Sequence, residues 1–122
     1  MIGKLELVMV VVADMERSVR FYRDVLGLRV EYESPHWTQL DAGTISIGLH
    51  GGGEGTPAAG EPSLQLGFYV EDAEQAVAEL RGAGADIAQE PVAERFGGYL
   101  AVVRDPDGHP IQLLQGWPST RE

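Results

Sequence analysis

The sequence predicts an α+β fold made of two copies of one strand–helix–three-strand unit, βαβββ. Three observations carry this. Val12-Ala13-Asp14 opens a helical stretch after a strongly apolar run, and fifty-eight positions later Val70-Glu71-Asp72 does the same after another. The match continues through Val19 and Val77 and through Tyr22 and Leu80. Further along, Asp41…Ile47-Gly48-Leu49 returns as Asp105…Ile111-Gln112-Leu113, offset by sixty-four. A duplicated unit predicts a pseudo-symmetric fold with a shared cleft, whose lining can be compared half against half.

The elements follow in order. Leu5 to Ala13 is almost continuously apolar and β-branched, which reads as a strand buried on both faces. Asp14 is a good helix N-cap, and its charge suits the helix dipole. Met15, Val19, Tyr22 and Leu26 recur at helical spacing, and Gly27 stops the helix. Strands at 28–33, 36–41 and 44–50 complete a first module over residues 5–50. Residues 51–63 are dominated by glycine and proline and read as a linker or mobile flap. Their glycines do not make a phosphate loop, because no Gly-Lys-Ser/Thr follows and no helix begins there.

The second module spans 64–115. From Leu64 to Val70, apolar Leu66, Phe68 and Val70 alternate with Gln65, Gly67 and Tyr69, so the strand has two distinct faces. Asp72 caps the next helix, and Gln75 completes a capping box. Ala73, Val77 and Leu80 form its buried stripe, and Gly82 and Gly84 end it. Strands near 86–90 and 99–104 lead to Asp105-Pro106-Asp107-Gly108, a strong turn signal. A last strand, His109 to Gln115, closes the module. The tail from Pro118 is expected to fray.

A chain of 122 residues is one domain, or two small modules that share a core. No apolar run approaches the roughly 20 residues of a membrane span, and Met1-Ile2-Gly3-Lys4 does not open a signal peptide. The expected location is the cytoplasm, without membrane contact. The absence of cysteine excludes disulfides, thiolate metal sites and a cysteine nucleophile. A net charge of −10 disfavours nucleic acid, whose binding rests on neutralising phosphates. It suits a cationic ligand through steering, and equally it suits simple solubility.

The run from Val12 to Tyr22 followed by Leu26-Gly27-Leu28 resembles the opening of the vicinal oxygen chelate superfamily. That group includes glyoxalase I, extradiol dioxygenases, fosfomycin-resistance enzymes and bleomycin-resistance binding proteins. Asp105-Pro106-Asp107-Gly108-His109-Pro110-Ile111-Gln112-Leu113 resembles its closing hairpin. The resemblance covers residues 5–115. It implies two βαβββ modules curled into a barrel-like cleft, the glyoxalase/bleomycin-resistance fold. It also implies a homodimer that builds the ligand cleft between chains. In family enzymes the cleft holds a divalent metal through one ligand on each of four strands, and the metal polarises substrate oxygens.

Carried onto this chain by the motif matches, the four ligand positions are Leu7, Gly48, Gln65 and Gln112. Leucine and glycine offer no side-chain donor, and neutral amides are poor ligands beside imidazole or carboxylate. The reading is therefore a metal-independent small-molecule-binding protein that sequesters a drug or natural product, as bleomycin-resistance proteins do. The ligand is expected to be aromatic or cationic. Trp37, His50, Gln65, Tyr69, Tyr99 and Gln112 are the candidate binding residues. The cleft face should also collect Leu7, Met9, Val11, Ser46, Gly48, Gly67 and Leu114, an apolar lining with neutral hydrogen-bonding groups. Trp37 and Trp117 offer stacking surfaces, with core or interface packing as the plainer role. Arg95-Phe96-Gly97-Gly98-Tyr99 reads as a lip over the cleft or as an ordinary hairpin loop.

The alternative is a glyoxalase-like lyase or dioxygenase. A shifted register would let His50, Gln65 and Gln112 hold Ni, Zn, Mn or Fe, with Glu6 joining through a bulge. His36 and His109 are expected at the surface. A third possibility is a small accessory protein that binds a partner rather than a ligand, which a cleft filled by its own side chains would favour.

Overall fold

The computed structural model describes residues 6–51, 66–94 and 97–116. The chain divides into two compact units, residues 1–61 and 62–122. The strands form two four-stranded sheets rather than one closed barrel.

In the first unit, β1 (Leu7–Val11) leads into α1 (Met15–Arg20), and β2 (Arg29–Glu33), β3 (Trp37–Asp41) and β4 (Ser46–His50) follow. The sheet order is β1-β4-β3-β2, with β1 parallel to β4 and the other pairs antiparallel. The second unit repeats this plan. β5 (Leu66–Tyr69), α2 (Ala73–Gly82), β6 (Asp86–Ala93), β7 (Tyr99–Arg104) and β8 (Pro110–Gln115) form a sheet in the order β5-β8-β7-β6. Again the one parallel pair joins the first and last strands of the unit. The two strand–helix starts thus generate two sheets of identical topology.

Local chemistry accounts for the helix ends. Asp14 and Asp72 adopt extended backbone and accept from the amides of Arg17 and Gln75, each at 3.1 Å. The expected capping box is only half made, because the Gln75 amide donates forward to Glu79 at 3.1 Å. The helix begun by α1 changes pitch at Phe21–Val25, a π-helical turn closed by the Leu26 amide on the Phe21 carbonyl at 2.9 Å. Gly27 then ends it with φ +82°, a left-handed conformation open to glycine.

Each helix packs on one face of its own sheet and makes a core there. Val10, Val12, Val19, Tyr22, Leu40, Ile47 and Leu49 are buried in the first unit. Ala73, Val77, Ala101, Val103, Ile111 and Leu113 are buried in the second. This corrects the reading of β1 as buried on both faces: Leu7 and Met9 are 41% and 42% exposed. The helix covers one side of the sheet, and the alternation of the strand sends these two residues to the other. The expected linker falls almost wholly outside the described residues, as do Gln65, Arg95, Phe96 and Trp117.

Candidate functional site

Strand pairing sets which side chains share the sheet face that each helix leaves uncovered. In the first unit Leu7, Met9 and Val11 pair with Ser46, Gly48 and His50, which pair in turn with Asp41, Gln39 and Trp37. All nine therefore lie on the open face. In the second unit Gly67 and Tyr69 pair with Gln112 and Leu114, and Val102 and Leu100 continue that face.

Trp37 dominates the open face of the first unit. Its indole lies across Gly48, so that a Cβ at position 48 would overlap the ring carbons. Its ring meets that of His50 edge-on, with centroids 6.1 Å apart and planes at 81°. Its Nε1–H donates to Gln39 Oε1 at 3.4 Å. Gln39 Nε2 donates to Glu31 Oε1 at 3.2 Å, and Ser46 Oγ donates to the same oxygen at 2.7 Å. A run of hydrogen bonds thus crosses the sheet from Trp37 to Glu31.

Glu31 reaches this face by alternation from Arg29, whose cross-strand partner Asp41 lies on it too. β2 and β3 lose register between Val30 and Tyr32, so two residues of β2 oppose one of β3. The extra residue brings Tyr32, as well as Glu31, opposite Gln39. Bulges often re-aim side chains in this way beside functional sites. The sequence reading missed Glu31 and Gln39 because it followed the motif matches on other strands; alternation from Trp37 reaches Gln39, whereas the pairing that sets Glu31 beside it is not written along one strand.

Beside this network lies an open groove of about 410 Å³, whose lining includes Leu7, Glu31, Gln39, Asp41 and Ser46. Asp41 Oδ2 pairs with Arg29 at 2.8 Å, and its Oδ1 accepts from the Gly43 amide at 2.8 Å. The amide first, and then the guanidinium, hold the Asp41 carboxyl below the usual carboxylate range.

The remaining sequence candidates separate. Tyr69 is 57% exposed and shares its face with Gln112. Gln112 Oε1 lies near Gly67. Tyr99 is not on that face: it alternates with Leu100 and Val102 and shares the parity of buried Ala101 and Val103. Its cross-strand partner Gln115 reaches the other way, accepting from the Ala73 amide at the start of α2 at 2.7 Å. His50 belongs to the first unit and Gln112 to the second. Gln65 lies outside the described residues.

Asp105, Asp107 and His109 bring ligand-type atoms within 4.8 Å of one another. Their bonds build the turn. Asp105 Oδ1 accepts from the amides of Asp107 and His109 at 3.0 and 2.8 Å, and its Oδ2 meets His109 Nδ1 at 2.7 Å. His109 is therefore tucked in, with its side chain 14% exposed, rather than at the surface as expected.

A family model described as the Glyoxalase/Bleomycin resistance protein/Dioxygenase superfamily matches residues 4–113. A probable lactoylglutathione lyase of Synechocystis sp. is 28% identical over 88% of this chain and 91% of its own length. A virulence protein of Salmonella typhimurium is 31% identical over 93% of this chain and 85% of its own. Among solved structures, a glyoxalase-related enzyme from Fulvimarina pelagi superposes with a TM-score of 0.82 at 20% identity, covering 96% of this chain and 92% of that one. TioX from Micromonospora sp. ML1 gives 0.75 at 24% identity, covering 94% of this chain and 100% of that one. At these identities the two structures speak for the fold.

Proposed function

Because the chain belongs to the glyoxalase/bleomycin resistance protein/dioxygenase superfamily, we propose that it binds a small molecule without a metal and sequesters a drug or natural product. The observation that carries this reading is the indole of Trp37 across Gly48. Where the resemblance puts a metal ligand, this chain has no side chain, and an aromatic ring fills the space. Leu7 offers no donor either, and Gln112 is a neutral amide. Such a set does not fit a divalent catalytic ion, which normally keeps three protein ligands.

The same face suits an organic ligand. Trp37, itself only partly buried, shares its sheet face with Leu7 and Met9, and Gln39, Ser46 and His50 are polar groups on the same face. Apolar surface with a few fixed polar groups is the usual lining of a small-molecule site. Stacking on the indole contributes about 1 kcal/mol beyond burial. We extend the proposal to a cytoplasmic homodimer, since family members commonly build the ligand cleft between chains.

A second reading has its own support, because several relatives are named lactoylglutathione lyases. In that reading the chain is a metal-dependent lyase using His50, Gln65 and Gln112. Native mass spectrometry separates the two, on protein as isolated and after incubation with nickel, zinc, manganese or iron(II). The binding reading expects no stoichiometric metal and a retained organic mass. One metal per chain, together with lactoylglutathione lyase activity that His50→Ala abolishes, would establish the enzyme instead.

A further inference from the structure

We infer that Glu31 is the charge-selecting residue of the Trp37 face, and that the ligand carries a protonated amine joined to a planar aromatic ring. This rests on the reading of Trp37 as a stacking surface. Three observations lead to it.

First, Glu31 is held in place. Ser46 Oγ and Gln39 Nε2 both donate to its Oε1, at 2.7 and 3.2 Å. Gln39 also accepts from Trp37 Nε1–H, so carboxylate and indole are fixed relative to each other through one side chain. A preorganised acceptor of this kind costs little ordering entropy when a ligand arrives.

Second, its charge is not neutralised within the described residues. Both donors are neutral, and the nearby Arg29 is paired with Asp41. Glu31 also lines the open groove, so a ligand can reach it. An ammonium group would satisfy the second carboxylate oxygen through a charge-assisted hydrogen bond.

Third, the fold does not require the carboxylate. The second unit makes the same bulge, with Ile87 and Gln89 opposite Val103 and Val102 as Val30 and Tyr32 are opposite Leu40 and Gln39. The residue in the place of Glu31 is Ala88. One copy of the repeat thus forms this bulge with a methyl group, and the other places an anion there beside a tryptophan.

The test uses three probes of one ring and different charge: 1-naphthylmethylamine, 1-naphthylmethanol and 1-naphthylacetate. Binding to the full chain is followed by NMR at the Trp37 indole N–H, assigned with Trp37→Phe. The expected order is amine, then alcohol, then acetate. Glu31→Gln keeps an acceptor for Ser46 and Gln39 and should cut the amine-over-alcohol preference about tenfold. An amine preference that survives Glu31→Gln, or amine and alcohol of equal affinity in the wild type, would overturn the role of Glu31 while leaving the stacking surface intact. Failure of all three probes to move the Trp37 resonance would remove the stacking surface itself, and this inference with it.

Discussion

The indole of Trp37 occupies the space that any side chain at Gly48 would need. The two residues sit on adjacent antiparallel strands, and His50, two positions beyond Gly48, is the cross-strand partner of Trp37. Gly48 is buried in β4, where glycine otherwise weakens a strand, so close approach of the ring is the physical reason for it. Gly48→Ala should therefore destabilise the protein by about 1–3 kcal/mol through overpacking. In a Trp37→Ala background the same change should be close to neutral. Urea denaturation of the four proteins gives the coupling, and additive effects would mean that ring and glycine do not compete for space.

Thr38 is fully buried in β3, and its hydroxyl has no hydrogen-bond partner among the described residues. An unmade hydrogen bond in the core costs the desolvation of the group with nothing in return. Valine has nearly the same shape and suits a strand. Thr38→Val should raise stability by about 1 kcal/mol, seen as a higher urea midpoint with an unchanged slope. A lower midpoint would show that the hydroxyl has a partner after all.

Asp105 holds the β7–β8 turn together from a buried position, with Gly108 supplying the left-handed residue at φ +87°. Asp105→Ala would strand two backbone amides and the His109 ring nitrogen at once. We expect a loss of about 3 kcal/mol in chemical denaturation. Asp105→Asn keeps an acceptor for the amides and should cost markedly less. Equal losses in the two variants would point to the charge, rather than the turn, as what Asp105 supplies.

Asp41 predicts a pH effect. The Gly43 amide and the Arg29 guanidinium lower its pKa in the folded chain. A carboxyl depressed in this way adds stability above its unfolded pKa of about 3.9, and that contribution is lost as pH falls through the lower folded value. Wild type should thus lose melting temperature more steeply than Asp41→Asn below about pH 4. Asp24, lowered by its own hydrogen bond to Arg23, is common to both proteins and cancels in the comparison. Parallel melting curves would show that Asp41 has no differential charge interaction in the folded state.

The sequence by itself determined the architecture. Period-two alternation, two capping aspartates and glycine stops are local signals, and the repeat stated them twice, so β1 to β8 and both helices were legible to within a few residues. That Leu7 and Gly48 offer no donor where the resemblance puts a ligand is likewise read from the sequence, by motif offset alone. What sits over those positions was not. Only tertiary structure brought Trp37 across Gly48, since that contact joins neighbouring strands through a ring reaching sideways. Only tertiary structure brought Glu31 to Gln39 and Ser46, since that contact depends on how β2, β3 and β4 pair and not on alternation along any one of them. Alternation does place Tyr99 with the helix-covered face, although its composition suggested a lip over the cleft. Backbone periodicity is written locally along a chain, whereas the occupant of a space is decided by side chains from several strands at once.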